Sequence, residues 1–127
     1  MKQNHAEFST MTGRTLTSIE GCSKESEEIT FHTNEGDRFV LSDPKDYSLV
    51  QVEDICGDVT DLIGTPILQA EETSSNENPP DRPHEFSFTW TFYRISTIKG
   101  QVVIRWLGES NGYYAESAYF YHYPASA

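Results

Sequence analysis

Between residues 86 and 93, large apolar and small polar side chains alternate. Phe86, Phe88, Trp90 and Phe92 fall on every second position, with Ser87, Thr89, Thr91 and Tyr93 between them. A period of two is the mark of a β-strand with one apolar face. Downstream, Asn111-Gly112 separates two aromatic-rich runs, a strong short-range hairpin signal. Shorter strands precede this region. Residues 15–20 (TLTSIE) alternate, and residues 28–33 (EITFHT) place Ile29 and Phe31 on one face. Asn34-Glu35-Gly36-Asp37 is a turn, residues 38–42 (RFVLS) return as the partner strand, and Asp43-Pro44-Lys45-Asp46 breaks it. Residues 49–53 form another strand.

The pattern at residues 54–66 (DICGDVTDLIGTP) predicts one short helical turn, N-capped by Asp58, ended by Gly64 and unable to pass Pro66. Residues 67–73 (ILQAEET) read as a strand. Residues 74–84 (SSNENPPDRPH) form the longest loop, polar, proline-rich and flexible. Residues 1–11 are polar and aperiodic and predict a flexible N-terminal tail. The expectation is one mainly β domain over residues 12–127. It is an antiparallel sandwich or small barrel-like meander of about eight strands with at most one short helix.

A two-residue turn at Asn111-Gly112 sets a register: Ser110 faces Tyr113, Glu109 faces Tyr114, Leu107 faces Glu116 and Ile104 faces Tyr119. Val102, Ile104, Trp106, Ala115, Ser117, Tyr119 and Tyr121 then share the core face. Val103, Arg105, Leu107, Glu109, Tyr114, Glu116 and Phe120 share the other, where Arg105 and Glu116 come within reach of a cross-strand ion pair. A three-residue turn at Ile98-Lys99-Gly100, with Gly100 in a bulge, aligns Phe92 with Trp106 on the core face. A two-residue turn at Lys99-Gly100 would send Phe92 to the opposite face.

Composition adds a charge constraint. Among 127 residues, 20 Asp and Glu face 9 Lys and Arg, a formal net charge of −11. That field repels nucleic acid and anionic membranes and favours basic partners. Cys22 and Cys56 make no CxxC pair and read as reduced thiols of a cytoplasmic protein, a single bridge being the alternative. The N-terminal residues lack an apolar signal-peptide core. No apolar run approaches the ~20 residues needed to span a bilayer.

No motif for a nucleophile elbow, a phosphate-binding glycine loop or a zinc protease occurs in the chain. His5, His32, His84 and His122 lack metal-ligand spacing, and no cofactor is implied. Glu53, Asp54, Asp58 and Asp61 carry enough carboxylates for a hard cation, but turn and capping chemistry explains them equally. Glu109 and Glu116, on one hairpin face, could act as the paired carboxylates of a hydrolase. The candidate binding set is Arg105, Glu109, Asn111, Tyr113, Tyr114 and Glu116, where tyrosines offer rigid amphipathic contact area. Arg94, Lys99 and Arg105 are the cations available to an anionic small molecule.

Three segments carry a resemblance: residues 61–72 (DLIGTPILQAEE), 88–100 (FTWTFYRISTIKG) and 104–117 (IRWLGESNGYYAES). Together, over residues 12–120, the chain resembles a family of small proteins of phages and bacteria described as a domain of unknown function. Members often carry a His, Asp and Cys stretch before an IEDI-like segment. Here that stretch is Ser42-Asp43-Pro44-Lys45-Asp46-Tyr47, without His or Cys, so the resemblance does not carry a metal or thiol role over to it. The resemblance implies no enzyme activity. It implies a phage or prophage setting in the bacterial cytoplasm. The first expectation is therefore a non-enzymatic binding protein, an anti-defence factor that docks a host protein or sequesters a small signalling molecule, with homo-oligomers allowed. The alternatives are an acidic DNA mimic that inhibits a nucleic-acid-binding host protein, and a hydrolase using Glu109 and Glu116.

Overall fold

The computed structural model describes residues 4–45, 48–80 and 87–125. Nine strands form in them: β1 (Asn4–His5), β2 (Leu16–Glu20), β3 (Glu28–Thr33), β4 (Arg38–Ser42), β5 (Leu49–Cys56), β6 (Gln69–Ser75), β7 (Ser87–Thr97), β8 (Gly100–Ser110) and β9 (Tyr119–Tyr123). They make two antiparallel sheets. The first has the order β1-β9-β4-β3-β2 and the second β5-β8-β7-β6. The sheets do not close on one another, so the architecture is a sandwich and not a barrel.

The core lies between the sheets. The first sheet sends in Leu16, Ile29, Phe31, Phe39, Leu41 and Phe120, and the second sends in Val50, Val52, Ala70, Tyr93, Ile95, Val102, Ile104 and Trp106. Strands β3 and β4 have the bounds that their alternation predicts. Phe31 sits opposite Phe39 and Ile29 opposite Leu41. Strand β5 runs beyond its expected end because a bulge between Val52 and Asp54 absorbs one residue. The bulge lets Val50, Val52 and Ile55 all pack inward. The helical turn is a single 3-10 segment, Val59–Leu62. Asp58 caps it by accepting from the Thr60 amide at 3.0 Å and the Thr60 hydroxyl at 2.7 Å.

Four expectations are overturned. First, residues 4–11 are not a free tail. Asn4 and His5 pair with β9, and Phe8–Met11 is a 3-10 turn whose Phe8 and Met11 are buried. Phe8 sits between the layers, its ring centroid 4.9 Å from Tyr93, 5.2 Å from Phe120 and 6.4 Å from Phe31. Two isolated apolar residues give no periodicity, yet they close one opening of the sandwich.

Second, Asn111-Gly112 does not join a hairpin, so residues 85–123 are not a continuous meander. The turn chemistry is present: Asn111 Oδ1 accepts from the Tyr113 amide at 3.1 Å, and Gly112 takes φ 98°. The chain then crosses to the other sheet, where β9 pairs with β4 and β1. The expected pairs of Ser110 with Tyr113, Glu109 with Tyr114, Leu107 with Glu116 and Ile104 with Tyr119 do not form. The faces of β9 are inverted too. Phe120 is buried, while Tyr119 and Tyr121 lie on the outer side.

Third, the β7–β8 turn contains only Ile98 and Lys99, because Thr97 pairs with Gly100. Phe92 therefore faces Arg105, and Trp106 faces Thr91. Fourth, the face of Phe88, Trp90 and Phe92 is the outer face of the second sheet, since Tyr93 and Ile95 on the alternate positions are in the core. The proline-rich loop is described as far as residue 80. Trp90 Nε1 donates to the Asn78 carbonyl at 2.8 Å, holding that part of the loop across the outer face. Residues 81–84 of that loop, and Phe86, lie outside the described residues, as does Asp46.

Candidate functional site

Strand parity builds a platform on the outer side of the second sheet. β7 contributes Phe88, Trp90, Phe92 and Arg94, and β8 contributes Val103, Arg105, Leu107 and Glu109. From the flanking strands come Asp54 opposite Arg105, Cys56 opposite Val103, Glu71 opposite Arg94 and Thr73 opposite Phe92. Trp90 and Leu107, cross-strand partners, are buried although they lie outside the main core, and the Asn78 carbonyl reaches Trp90 Nε1. Beside this pair opens a cleft of about 230 Å³ lined by Asp54, Cys56, Phe92, Arg94, Val103 and Arg105.

Two arginines face this cleft as diagonal neighbours on adjacent strands. The Arg105 guanidinium lies over the Trp90 ring, 4.7 Å from its centroid. The Arg94 guanidinium lies 5.5 Å from the Phe92 centroid, and its Nη1 donates to Thr73 Oγ1 at 2.9 Å. Each arginine has a carboxylate directly across the ladder, and neither pairs with it. Asp54 turns to Lys24 Nζ at 3.7 Å, and Glu71 accepts from Gln69 Nε2. Arg105 Nε is buried without a hydrogen-bond partner. Leaving such a donor unmade costs about 1–3 kcal/mol, more on a charged group.

The candidate binding residues separate. Arg105 is in the cleft. Glu109 shares its face but is buried further along β8, beside Phe88. Asn111, Tyr113 and Tyr114 belong to the crossover between β8 and β9, with Tyr113 89% exposed. Glu116 is on the opposite side of the sheet. Its carboxylate accepts from Thr89 Oγ1 at 2.7 Å and from Ser110 Oγ, both on the inward parity. Arg105 and Glu116 form no ion pair, and Glu109 and Glu116 do not share a site. The two-carboxylate hydrolase therefore loses its geometry.

Sequence reasoning did not place Trp90, Phe92 and Arg94 beside Arg105. The signal was available in the alternation from Phe88 to Arg94, which puts the four residues on one face once the turn length is known. The acidic stretch disperses. Asp58 caps its 3-10 turn, Asp54 meets Lys24, and the Asp61 carbonyl accepts from Thr97 Oγ1. Among the described residues, no three His, Cys, Asp or Glu side chains are grouped as metal ligands.

A second polar cluster was invisible in the sequence because its members are far apart in the chain. Asp37 accepts from Arg14 Nη2 at 2.6 Å and from Thr33 Oγ1, and it meets His122 Nε2 at 2.6 Å. Arg14 Nε also bonds Glu35 at 2.9 Å. Burial opposes ionisation of Asp37, but the hydrogen bonds from Arg14, Thr33 and His122 outweigh it and hold the carboxyl well below its usual range. The hydrogen bond to Asp37 raises the Arg14 guanidinium in turn. This cluster ties the N-terminal segment and β9 to the β3–β4 turn. Its carboxylate is fully engaged within the protein, so it serves as a clasp.

A family model described as a domain of unknown function, DUF7448, matches residues 9–120. The chain belongs to that family. No curated protein and no solved structure matches it.

Proposed function

We propose that this member of the DUF7448 family is a non-enzymatic binding protein, and that the outer face of its second sheet is the binding surface. One observation supports the reading: Arg94 and Arg105 face a common cleft with their cross-strand carboxylates engaged elsewhere. In a chain with 20 acidic and 9 basic residues, each is an arginine without an ion-pair partner among the described residues. A half-buried one keeps its donors in place at a free-energy cost that a bound group would relieve.

The concave, compact cleft favours sequestration of a small molecule over docking of a host protein. A DNA mimic would array its carboxylates along one surface, whereas Asp54, Asp58 and Glu71 are each engaged locally. The phage or prophage setting, the cytoplasmic location and the anti-defence role belong to the same proposal and rest on the resemblance of the three motifs.

Native mass spectrometry of protein purified under non-denaturing conditions tests the reading. A small-molecule adduct on the wild type that is lost from the Arg94→Gln/Arg105→Gln double variant is the expected result. Identical adduct spectra for the two proteins, or none on either, would refute it.

A further inference from the structure

The geometry points to a ligand class for this cleft: a compact phosphate monoester carried on a flat ring. This inference rests on the binding reading above and adds the chemistry of the occupant.

The charge comes from the arginines. Two guanidinium groups on adjacent strands face one space and repel each other, and among the described residues neither makes an ion pair. Asp54 lies at the cleft, but Lys24 Nζ stands 3.7 Å from it. Two uncompensated positive charges match a dianion. A phosphate monoester carries close to two negative charges at neutral pH and presents three acceptor oxygens. A carboxylate carries one charge and two oxygens. The planar donor fork of arginine suits phosphate oxygens, and Arg105 Nε is a buried donor with no partner.

The ring comes from the stacking. Each guanidinium already rests one face on an aromatic side chain, Arg105 on Trp90 and Arg94 on Phe92. A guanidinium stacked on one face can take a second ring on its other face. Phe92 and Val103 supply apolar walls beside it. The volume of about 230 Å³, below the usual range for drug-sized ligands, matches one ring with one phosphate. The net charge of −11 acts against any anion at long range. At physiological salt the screening length is about 8 Å, so the two arginines within the cleft dominate.

Isothermal titration calorimetry with four separate titrants tests the class: AMP, phenyl phosphate, adenosine and inorganic phosphate. The expected result is that at least one ester binds ten or more times tighter than both adenosine and inorganic phosphate. Arg94→Gln and Arg105→Gln should each weaken it tenfold or more, and Arg105→Lys, which keeps the charge but not the fork, should weaken it less. AMP against phenyl phosphate distinguishes a nucleotide from a simple aryl phosphate. Inorganic phosphate binding as tightly as both esters, adenosine binding as tightly as AMP, or variants equal to the wild type would overturn the class. Denaturant midpoints of the variants, on the surface of a strand, separate lost binding from lost folding. If no ester binds but native mass spectrometry still shows an arginine-dependent adduct, the ligand class falls while the binding reading stands.

Discussion

Gly108→Ala separates the observed crossover from a simple hairpin by the sign of its effect. Gly108 is on the inward face of β8, next to Trp106, and its backbone is not in the left-handed region. In an ordinary strand interior, replacing glycine with alanine stabilises by about 0.5–1 kcal/mol. Here the crossover between β8 and β9 passes over the glycine. A methyl group at that position would lie 2.6 Å from Glu116 Cα, and closer still to the Glu116 carbonyl. The obstacle is backbone, so no rotamer change relieves it. The crossover must lift, which loosens the bonds from Thr89 and Ser110 to the Glu116 carboxylate and the contact between Thr91 and Ser117. Overpacking of this kind costs about 1–3 kcal/mol, and each weakened hydrogen bond about 1 kcal/mol. Against the small propensity gain, the net is a loss of roughly 2–4 kcal/mol, or about 8–16 °C in Tm at about 4 °C per kcal/mol. Guanidinium unfolding followed by tryptophan fluorescence reads it, since Trp106 is fully buried. A variant as stable as the wild type, or more so, would show that Glu116 does not cross Gly108.

Phe8→Ala should cost about 3–5 kcal/mol by the same unfolding assay, because Phe8 bridges both sheets; a loss below about 1 kcal/mol would return residues 4–11 to the status of a tail. Asp37→Asn should lose about 2–3 kcal/mol at neutral pH by removing the charge that Arg14 and His122 meet. The folded-state pKa of Asp37 is depressed, so its contribution is full above the ordinary carboxylate value near 4 and fades as pH falls toward the folded value. The stability difference between wild type and variant should therefore shrink below about pH 4, and a difference independent of pH would contradict this. Burial raises the Cys22 thiol to about 11, whereas Cys56 is exposed. A thiol reagent near about pH 8 should modify Cys56 rapidly and the half-buried Cys22 much more slowly, and equal rates would refute this difference in environment.

The strands most legible in the sequence were those whose two sides differ in chemistry. EITFHT and RFVLS each place aromatic or aliphatic residues at alternate positions, and the turn between them holds Gly36 at φ 89°. The face of β8 carrying Val102, Ile104 and Trp106 was legible for the same reason. β7 misled because both of its sides are bulky. The larger hydrophobic set, Phe88, Trp90 and Phe92, reads as the core, but Thr91, Tyr93 and Ile95 are the residues with no exposure. Tyrosine counted as a polar spacer when its ring was the buried group. Asn111-Gly112 misled differently. A local turn signal specifies the direction of a few residues, and the partner of the next strand is decided by long-range packing. Phe120 finds its place against Phe39, with nearly parallel rings 5.5 Å apart, only if β9 joins the first sheet.

The candidate site follows from the same parity. Had the β7–β8 turn held three residues, Phe92 would have faced Trp106 and the arginines of the two strands would have been on opposite sides. With Ile98 and Lys99 alone in the turn, Phe92 faces Arg105, and Arg94 joins it on the outer surface. A one-residue change in turn length thus decides whether two arginines converge. The convergence has an electrostatic cost that no ion pair among the described residues offsets, since Asp54 and Glu71, the cross-strand carboxylates, contact Lys24 and Gln69 instead. Insertion of one glycine between Ile98 and Lys99 would favour a change of parity. If the sheet then slides to keep Val102, Ile104 and Trp106 inside, Arg94 and Arg105 separate and arginine-dependent binding disappears. If the turn bulges instead, the strands keep their register and binding survives. Amide hydrogen-exchange patterns along β7 and β8 distinguish these cases. Binding that persisted after a demonstrated register shift would mean that the two arginines need not act together.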